Sequence, residues 1–228
     1  MYGYIQKNLS ALRAELSELQ QKYGNEITLV AVTKSGTDDE LVALAKAGIE
    51  NIGENRPGEL KRRGELLADA GYHPCLHEIG NLQRNKVKYI IDKVSLIHSL
   101  DNLELAKEIN KRALAIGRVV PVLIEINSAE EPQKDGIMPS DALSFYEQIK
   151  DMPAISVRGL MTMGPVCDDP EQIRPYFRLT RELFDKMKAK GCFADGGILS
   201  MGMSDSYRVA IEEGATLVRV GRRLFNKD

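Results

Sequence analysis

Three cysteines are too few and too scattered to cross-link this chain. Cys75, Cys167 and Cys192 are odd in number and far apart, a pattern of reduced thiols rather than of a disulfide framework or a zinc site. The histidines are equally sparse, and with only His73, His77 and His98 no metal is expected. No apolar run approaches the roughly 20 residues of a spanning helix. The opening MYGYIQKNLS also lacks the charged-then-apolar build of a secretion signal. A cytoplasmic location away from membranes is therefore expected. Surplus positive charge is missing too, since the formal net charge is −2, and binding to nucleic acid normally demands a basic face. The main basic run, Lys61-Arg62-Arg63, reads as a solvated helix face.

Linkers are absent as well. Neither a low-complexity stretch nor a second composition regime interrupts the 228 residues, so one domain spanning 1–228 is expected, a size at which α/β barrels commonly fold as single units. Apolar residues make up 43% and charged residues 28%, mixed along the sequence, which excludes a disordered chain.

What is present is a repeated change of hydrophobic period. Ile5, Leu9, Leu12, Leu16 and Leu19 form the stripe of an amphipathic helix. Eight short β-type runs follow at 27–32, 49–52, 76–79, 96–100, 119–126, 157–161, 198–201 and 217–220, separated by stretches of helical character. Thr37 with Glu40 makes a capping box, and Asp101 and Ser140 are placed to cap later helices. Gly48, Gly117, Gly191 and Gly214 stand where helices should stop. Such alternation predicts a parallel sheet with right-handed crossovers, and eight units predict closure into a (β/α)8 TIM barrel with an extra N-terminal helix. A doubly wound open sheet is the alternative, but its GxGxxG after the first strand is missing. The longest excursion falls at 128–139.

In such barrels the active site forms at the C-terminal ends of the strands. The first strand ends at Lys34, the second at Glu54-Asn55, the third near His77 and Gly80, and the fifth at Asn127. The sixth ends at Met161-Thr162-Met163, the seventh at Ser200-Met201-Gly202, and the eighth at Arg219 and Gly221. A partly desolvated lysine at the rim offers a neutral amine for Schiff-base formation, although position alone favours a snorkelling strand-end lysine. The segment 199–204 leads into a helix near Asp205, and Arg219-Val220-Gly221-Arg222 follows from the eighth strand. Loops after strands seven and eight are a recurrent phosphate site in barrels; a pair of tight turns is the plainer alternative. His77 suits acid or base work, but a structural hydrogen-bonding role is the reading adopted. Together the rim lysine and the two loops describe a phosphorylated carbonyl compound, with pyridoxal 5'-phosphate (PLP) and a sugar-phosphate aldolase substrate both open.

Six ordered segments narrow the choice: AVTKSG around Lys34, IGENRPGEL at 52–60, HEIGNLQRNK at 77–86, EINSAEEPQKDGIMP at 125–139, GLMTM at 159–163 and LSMGMSDSYRVAIEEGATLVRVGRRLF at 199–225. They cover nearly the whole chain, which resembles the YggS/PROSC family of PLP homeostasis proteins, similar in fold to the N-terminal barrel of alanine racemase, a fold-type III PLP-binding barrel. The resemblance implies that Lys34 holds PLP as a Schiff base and that Asn55 lines the pocket. It further implies that Ser200, Gly202, Gly221 and the backbone of Arg222 bind the phosphate, that Arg219 faces the pyridine nitrogen, and that Met201 and Met161 pack near the ring. Two positions depart from the family pattern. Gly36 stands where many relatives have proline, and Arg222 where many have a hydroxyl residue.

An arginine at the ring nitrogen keeps it unprotonated and makes the ring a poorer electron sink. The implied function is therefore holding, buffering or delivering PLP to transient acceptor enzymes, with no catalytic residue assigned. A slow PLP-dependent racemase is the alternative, and a cofactor-free class I aldolase a weaker one. Racemisation needs a base on each substrate face. In alanine racemase one comes from a second domain, for which the stretch from Gly221 to Asp228 leaves no room. Monomer and weak homodimer fit equally well.

Overall fold

The apolar runs form strands within two residues of where the sequence places them, because most carry enough β-branched and aliphatic side chains to be buried on both faces of a parallel sheet. In the computed structural model, which describes residues 2–165, 167 and 169–227, the strands are β1 (Thr28–Val32), β2 (Asn51–Glu54), β3 (Cys75–Glu78), β4 (Leu96–Leu100), β5 (Val120–Glu125), β6 (Ile155–Met161), β7 (Ile198–Ser200) and β8 (Leu217–Val220). They close in sequential order into an all-parallel barrel, sealed by β1 against β8 in the register Thr28↔Leu217 to Ala31↔Val220. Met1 and Asp228, the ends of the expected 1–228 unit, lie outside the described residues.

The helices are α1 (Gly3–Tyr23), α2 (Asp38–Lys46), α3 (Pro57–Asp69), α4 (Leu103–Ala115), α5 (Ala142–Ile149), α6 (Arg174–Ala189), α7 (Tyr207–Glu212) and α8 (Arg222–Phe225). The third crossover departs from the expected helix. It is a 3-10 turn at Arg84–Tyr89 burying only Val87, too little apolar surface to hold an α-helix on the barrel. The extra N-terminal helix α1 buries Ile5, Leu9, Leu12 and Leu16. It lies along the outer wall beside α2, α7 and α8, and Asn8 donates to the carbonyls of Leu224 and Asn226.

Thr37 and Glu40 form the expected capping box on α2. The later caps are corrected. Asn102, not Asp101, caps α4, because residue 102 is the one whose extended backbone brings its side-chain oxygen to the Leu105 N–H at 2.8 Å. Ser140 sits inside a 3-10 turn at Pro139–Asp141, and its hydroxyl donates to Asp141 instead of capping α5. The basic triplet also divides. Lys61 and Arg62 are exposed, whereas Arg63 is buried at 6% exposure, because it shares the inner stripe of α3 with Leu60 and Leu67.

The main core fills the space between strands and helices. Inside the barrel a smaller cluster of Val30, Leu96, Leu123, Met161 and Leu217 packs separately. Beside it the interior holds the buried polar side chains His77, His98, Ser200 and Arg219, an unusual filling for a barrel, where branched aliphatic residues normally dominate.

Candidate functional site

The loops at the C-terminal ends of the strands enclose a cavity of about 560 Å3. Lys34 and Ser35 reach it from β1, Asn55 from β2, Gly80 and Asn81 from β3, Glu125 from the end of β5, Met163 from β6, Ser204 from β7, and Arg219, Gly221 and Arg222 from β8. Five residues expected at the site, Lys34, Asn55, Arg219, Gly221 and Arg222, are thus brought to one cavity.

Lys34 is exposed in the cavity mouth rather than partly desolvated, because β1 ends at Val32 and the following turn lifts the side chain clear of the barrel interior. Its backbone is nonetheless tightly held. Arg63 donates Nη1 to the Thr33 carbonyl and Nη2 to the Gly36 carbonyl at 3.0 Å. The Thr33 hydroxyl donates to the Glu54 carboxylate, which pairs with Arg63 at 3.1 Å. Gly36 packs where any Cβ would meet the Phe225 ring at 2.5 Å, so glycine here reflects close packing against α8.

On the opposite side the Gly221 N–H donates to the Ser204 hydroxyl at 3.2 Å. A Cβ at 221 would lie 2.8 Å from the Val32 carbonyl, so this stretch of backbone must be bare to lie against β1. The Arg222 guanidinium turns outward to Asp205.

Arg219 forms the cavity floor at 2% exposure. Its Nη1 donates to the Ser200 hydroxyl, and its Nη2 to the Thr162 carbonyl at 3.0 Å and to Met163 Sδ at 3.3 Å. Among the described residues no carboxylate lies within ion-pair distance of it. Burial pulls its pKa down to about 10, opposed by the field of Glu125, so it remains a cation at neutral pH. Burial likewise pushes Glu125 up to about 7, reinforced by Asp101 and Asp135 and opposed by Arg219.

Four expected residues do not line the cavity. Alternation along a strand turns Ser200 into the barrel and Met201 outward into the helix-facing core. Ser200 is fully buried below Arg219 and bonded to it, which leaves its hydroxyl no access to a phosphate in the mouth. Met161 belongs to the interior apolar cluster, and Met163, two residues on, reaches the cavity instead. Gly202 adopts φ +90°, and a Cβ there would strike Ala210 at 2.5 Å, so its place is in packing β7 against α7. His77 accordingly has hydrogen-bond partners, Asn51 and His98, and lies away from the mouth.

Glu125, Asn81 and Ser204 were not among the residues assigned to the site from the sequence, and Gly80 and Met163 entered only as strand-end residues. Glu125 did carry a signal: it is the one charged residue closing the apolar run Val120–Glu125, two residues after the inward-facing Leu123.

Fold and cavity define a ligand-binding parallel (β/α)8 barrel with its site at the C-terminal strand ends. Residues 7–227 match the family described as alanine racemase, N-terminal domain. A pyridoxal phosphate homeostasis protein of Aquifex aeolicus is 43% identical over 87% of this chain and 86% of its own length. Another from Helicobacter pylori is 34% identical over 100% of both chains. The structure of PipY from Synechococcus elongatus with PLP bound superposes with a TM-score of 0.84 at 27% identity, covering 97% of this chain and 100% of that one. The chain belongs to the pyridoxal phosphate homeostasis protein family, within the wider family of alanine racemase N-terminal domains.

Proposed function

We propose that this chain binds PLP reversibly in the cavity at the C-terminal mouth of its barrel, and that it holds, buffers and delivers the cofactor rather than turning over substrate rapidly. The observation that carries the reading is that the Lys34 amine and the buried Arg219 guanidinium open onto one cavity, with the Ser204–Gly221 pair beside them. The PLP bound to PipY and the names of the relatives support it.

The donor set fits the group. A buried guanidinium without a carboxylate partner is costly, and an unprotonated ring nitrogen is a neutral acceptor that would satisfy one of its remaining N–H groups. The Ser204 hydroxyl, the Gly221 N–H and the Arg222 backbone would hold the phosphate through donors that accept close approach. Asn55 would line one side. Lys34 would supply the amine that holds the aldehyde carbon covalently. PLP, when bound, supplies an aldehyde reactive toward amines and a ring able to take up electrons.

Arg219 decides how far that second property is used. Remaining cationic, it opposes protonation of the ring nitrogen, so chemistry that needs the ring as an electron sink is disfavoured. An exposed Lys34 adds to this, because an open mouth admits water and weakens electrostatic assistance. Reversible loading and release suit the same geometry. The working unit is taken to be one domain, 1–228, cytoplasmic, as monomer or weak homodimer, handing PLP to transient acceptor enzymes.

The test is borohydride reduction of the PLP-loaded protein, followed by peptide mapping by mass spectrometry. A reduced phosphopyridoxyl group on the Lys34 peptide, absent from Lys34→Ala, is the expected result. Modification that remains stoichiometric and moves to other lysines in Lys34→Ala would overturn the assignment.

A further inference from the structure

The polar half of the barrel interior is one continuous chain. Arg219 Nη1 contacts Ser200 Oγ, Ser200 Oγ lies 3.0 Å from His98 Nδ1, His98 Nε2 lies 3.0 Å from His77 Nδ1, and His77 Nε2 lies 3.1 Å from Asn51 Oδ1. Asn51 and His77 line a second cavity, of about 1050 Å3, at the N-terminal ends of the strands. The chain therefore crosses the barrel from one mouth to the other.

We infer that Ser200, His98 and His77 are positioning residues for Arg219, joined in a one-way hydrogen-bond chain that anchors the guanidinium beneath the cofactor cavity and ends on Asn51. The direction follows from the donor inventory. A guanidinium only donates and an amide oxygen only accepts. Ser200 Oγ therefore accepts from Arg219, and at the other end His77 carries its proton on Nε2 to donate to Asn51 Oδ1. His77 Nδ1 then accepts from His98 Nε2–H, and His98 Nδ1 accepts the Ser200 proton. The donor at one end of the chain and the amide oxygen at the other together fix the two tautomers between them.

The energetics demand such a chain. His98 and Ser200 are fully buried, and His77 is 5% exposed. Any unpaired member would forfeit its hydration without return. Protonating either ring would place a second cation near Arg219 and replace an acceptor by a donor facing a donor. Burial holds both rings neutral: His77 is lowered to about 4, and His98 lies well below the ordinary histidine range, depressed further by His77 and Arg219. The result is an acceptor for Arg219 that carries no charge of its own. A carboxylate there would neutralise the guanidinium; this chain fixes its position and leaves its charge to the ligand.

The role assigned toward PLP rests on the proposed function, whereas the direction of the chain does not. The test is long-range 1H–15N NMR of the histidine rings in the ligand-free protein. His77 and His98 are expected as neutral Nε2–H tautomers, unchanged between about pH 5.5 and 8. An Nδ1–H tautomer, or a doubly protonated ring, at either position in that range overturns the inference whether or not PLP binds.

Ser200→Ala is expected to release His98 into a tautomer mixture, to shift the absorption band of bound PLP and to weaken PLP binding roughly tenfold, the scale of one hydrogen bond to a charged group. A lowered Tm with unchanged tautomer and unchanged band would mean that the serine only supports packing, and would overturn the positioning role. If Ser200→Ala does not fold, PLP titration of the wild-type protein decides instead. His98 and His77 ring signals should move while those of exposed His73 stay, and stationary His98 and His77 signals at saturation would overturn it. Loss of PLP from the Lys34 peptide alone would refute the covalent assignment and leave the tautomer result standing.

Discussion

Arg63 and Glu54 form a buried ion pair at 3.1 Å directly beneath the turn that carries Lys34. The pair is enclosed by Thr33, whose hydroxyl donates to the carboxylate. Burial pushes the Glu54 carboxyl upward, opposed by the Thr33 hydrogen bond and by Arg63. Arg63→Ala would leave a buried carboxylate and two backbone carbonyls without their partner. Breaking such a pair from one side costs about 3–5 kcal/mol. Urea denaturation should show a loss in that range, and amide exchange should accelerate at Ser35 and Gly36. Arg63→Lys should not restore the wild-type value, because an ammonium lacks the planar fork that spans two carbonyls and a carboxylate. Wild-type exchange at these amides in Arg63→Ala would show that the clamp does not hold the turn.

Ser204, rather than Ser200, is the hydroxyl that opens onto the cavity beside Gly221. Ser204→Ala should weaken PLP binding by about 1–3 kcal/mol, the worth of a hydrogen bond to a charged acceptor, and leave the affinity for unphosphorylated pyridoxal unchanged. Equilibrium titration with both compounds separates the phosphate contribution. Equal losses for the two would remove Ser204 from the phosphate site.

Gly80 approaches the neighbouring loop so closely that a Cβ would lie 2.3 Å from the Asn55 carbonyl. The obstacle is backbone, which cannot rotate away as a flexible side chain would. Gly80→Ala should therefore destabilise the fold by about 1–3 kcal/mol and displace Asn55 from the cavity wall. A thermal melt and a PLP titration check the two effects. A variant that melts and binds like wild type would mean that the two loops separate at little cost.

Glu78 supplies a pH signature. It is fully buried with Oε1 accepting from the Gly80 N–H and Oε2 without a partner among the described residues. Burial raises its pKa from 4.5 to about 8. A raised folded-state value means that the native protein holds the proton more tightly than the unfolded chain. Its contribution is complete below about 4.5 and is lost as pH rises toward about 8. The buried histidines act in the opposite sense, since their lowered values cost stability only as pH falls below about 6.5. Between about 6.5 and 8 the raised acids dominate, so stability should fall with rising pH, on the order of 1 kcal/mol per unit for Glu78. Glu78→Gln should flatten that decline in urea midpoints measured across the interval. Parallel curves for variant and wild type would show that Glu78 is ionised throughout.

Much of the fold was legible because it depends on local pattern. Period changes located all eight strands, and the glycines expected to end helices, Gly48, Gly117, Gly191 and Gly214, all adopt positive φ. The site was legible only where a residue lies at a strand end by sequence alone, as with Lys34 and Arg219. Arg63 was misread within a basic triplet, although its spacing from Leu60 and Leu67 already placed it on the inner stripe of α3. Ser200 and Ser204 were not separable in that way, since both belong to one glycine-containing segment.

By itself, then, the sequence determined an eight-unit parallel barrel, a rim lysine at β1 and an arginine at β8, since periodicity and strand-end position are properties of neighbouring residues. Only the tertiary structure decided that Ser200 serves Arg219 while Ser204 faces the cavity, that Arg63 clamps the Lys34 turn, and that His77 and His98 join residues from β2 to β8. Those contacts connect positions up to about a hundred residues apart, such as His98 and Ser200. Which way a buried polar group points is set by the partner that barrel closure brings to it.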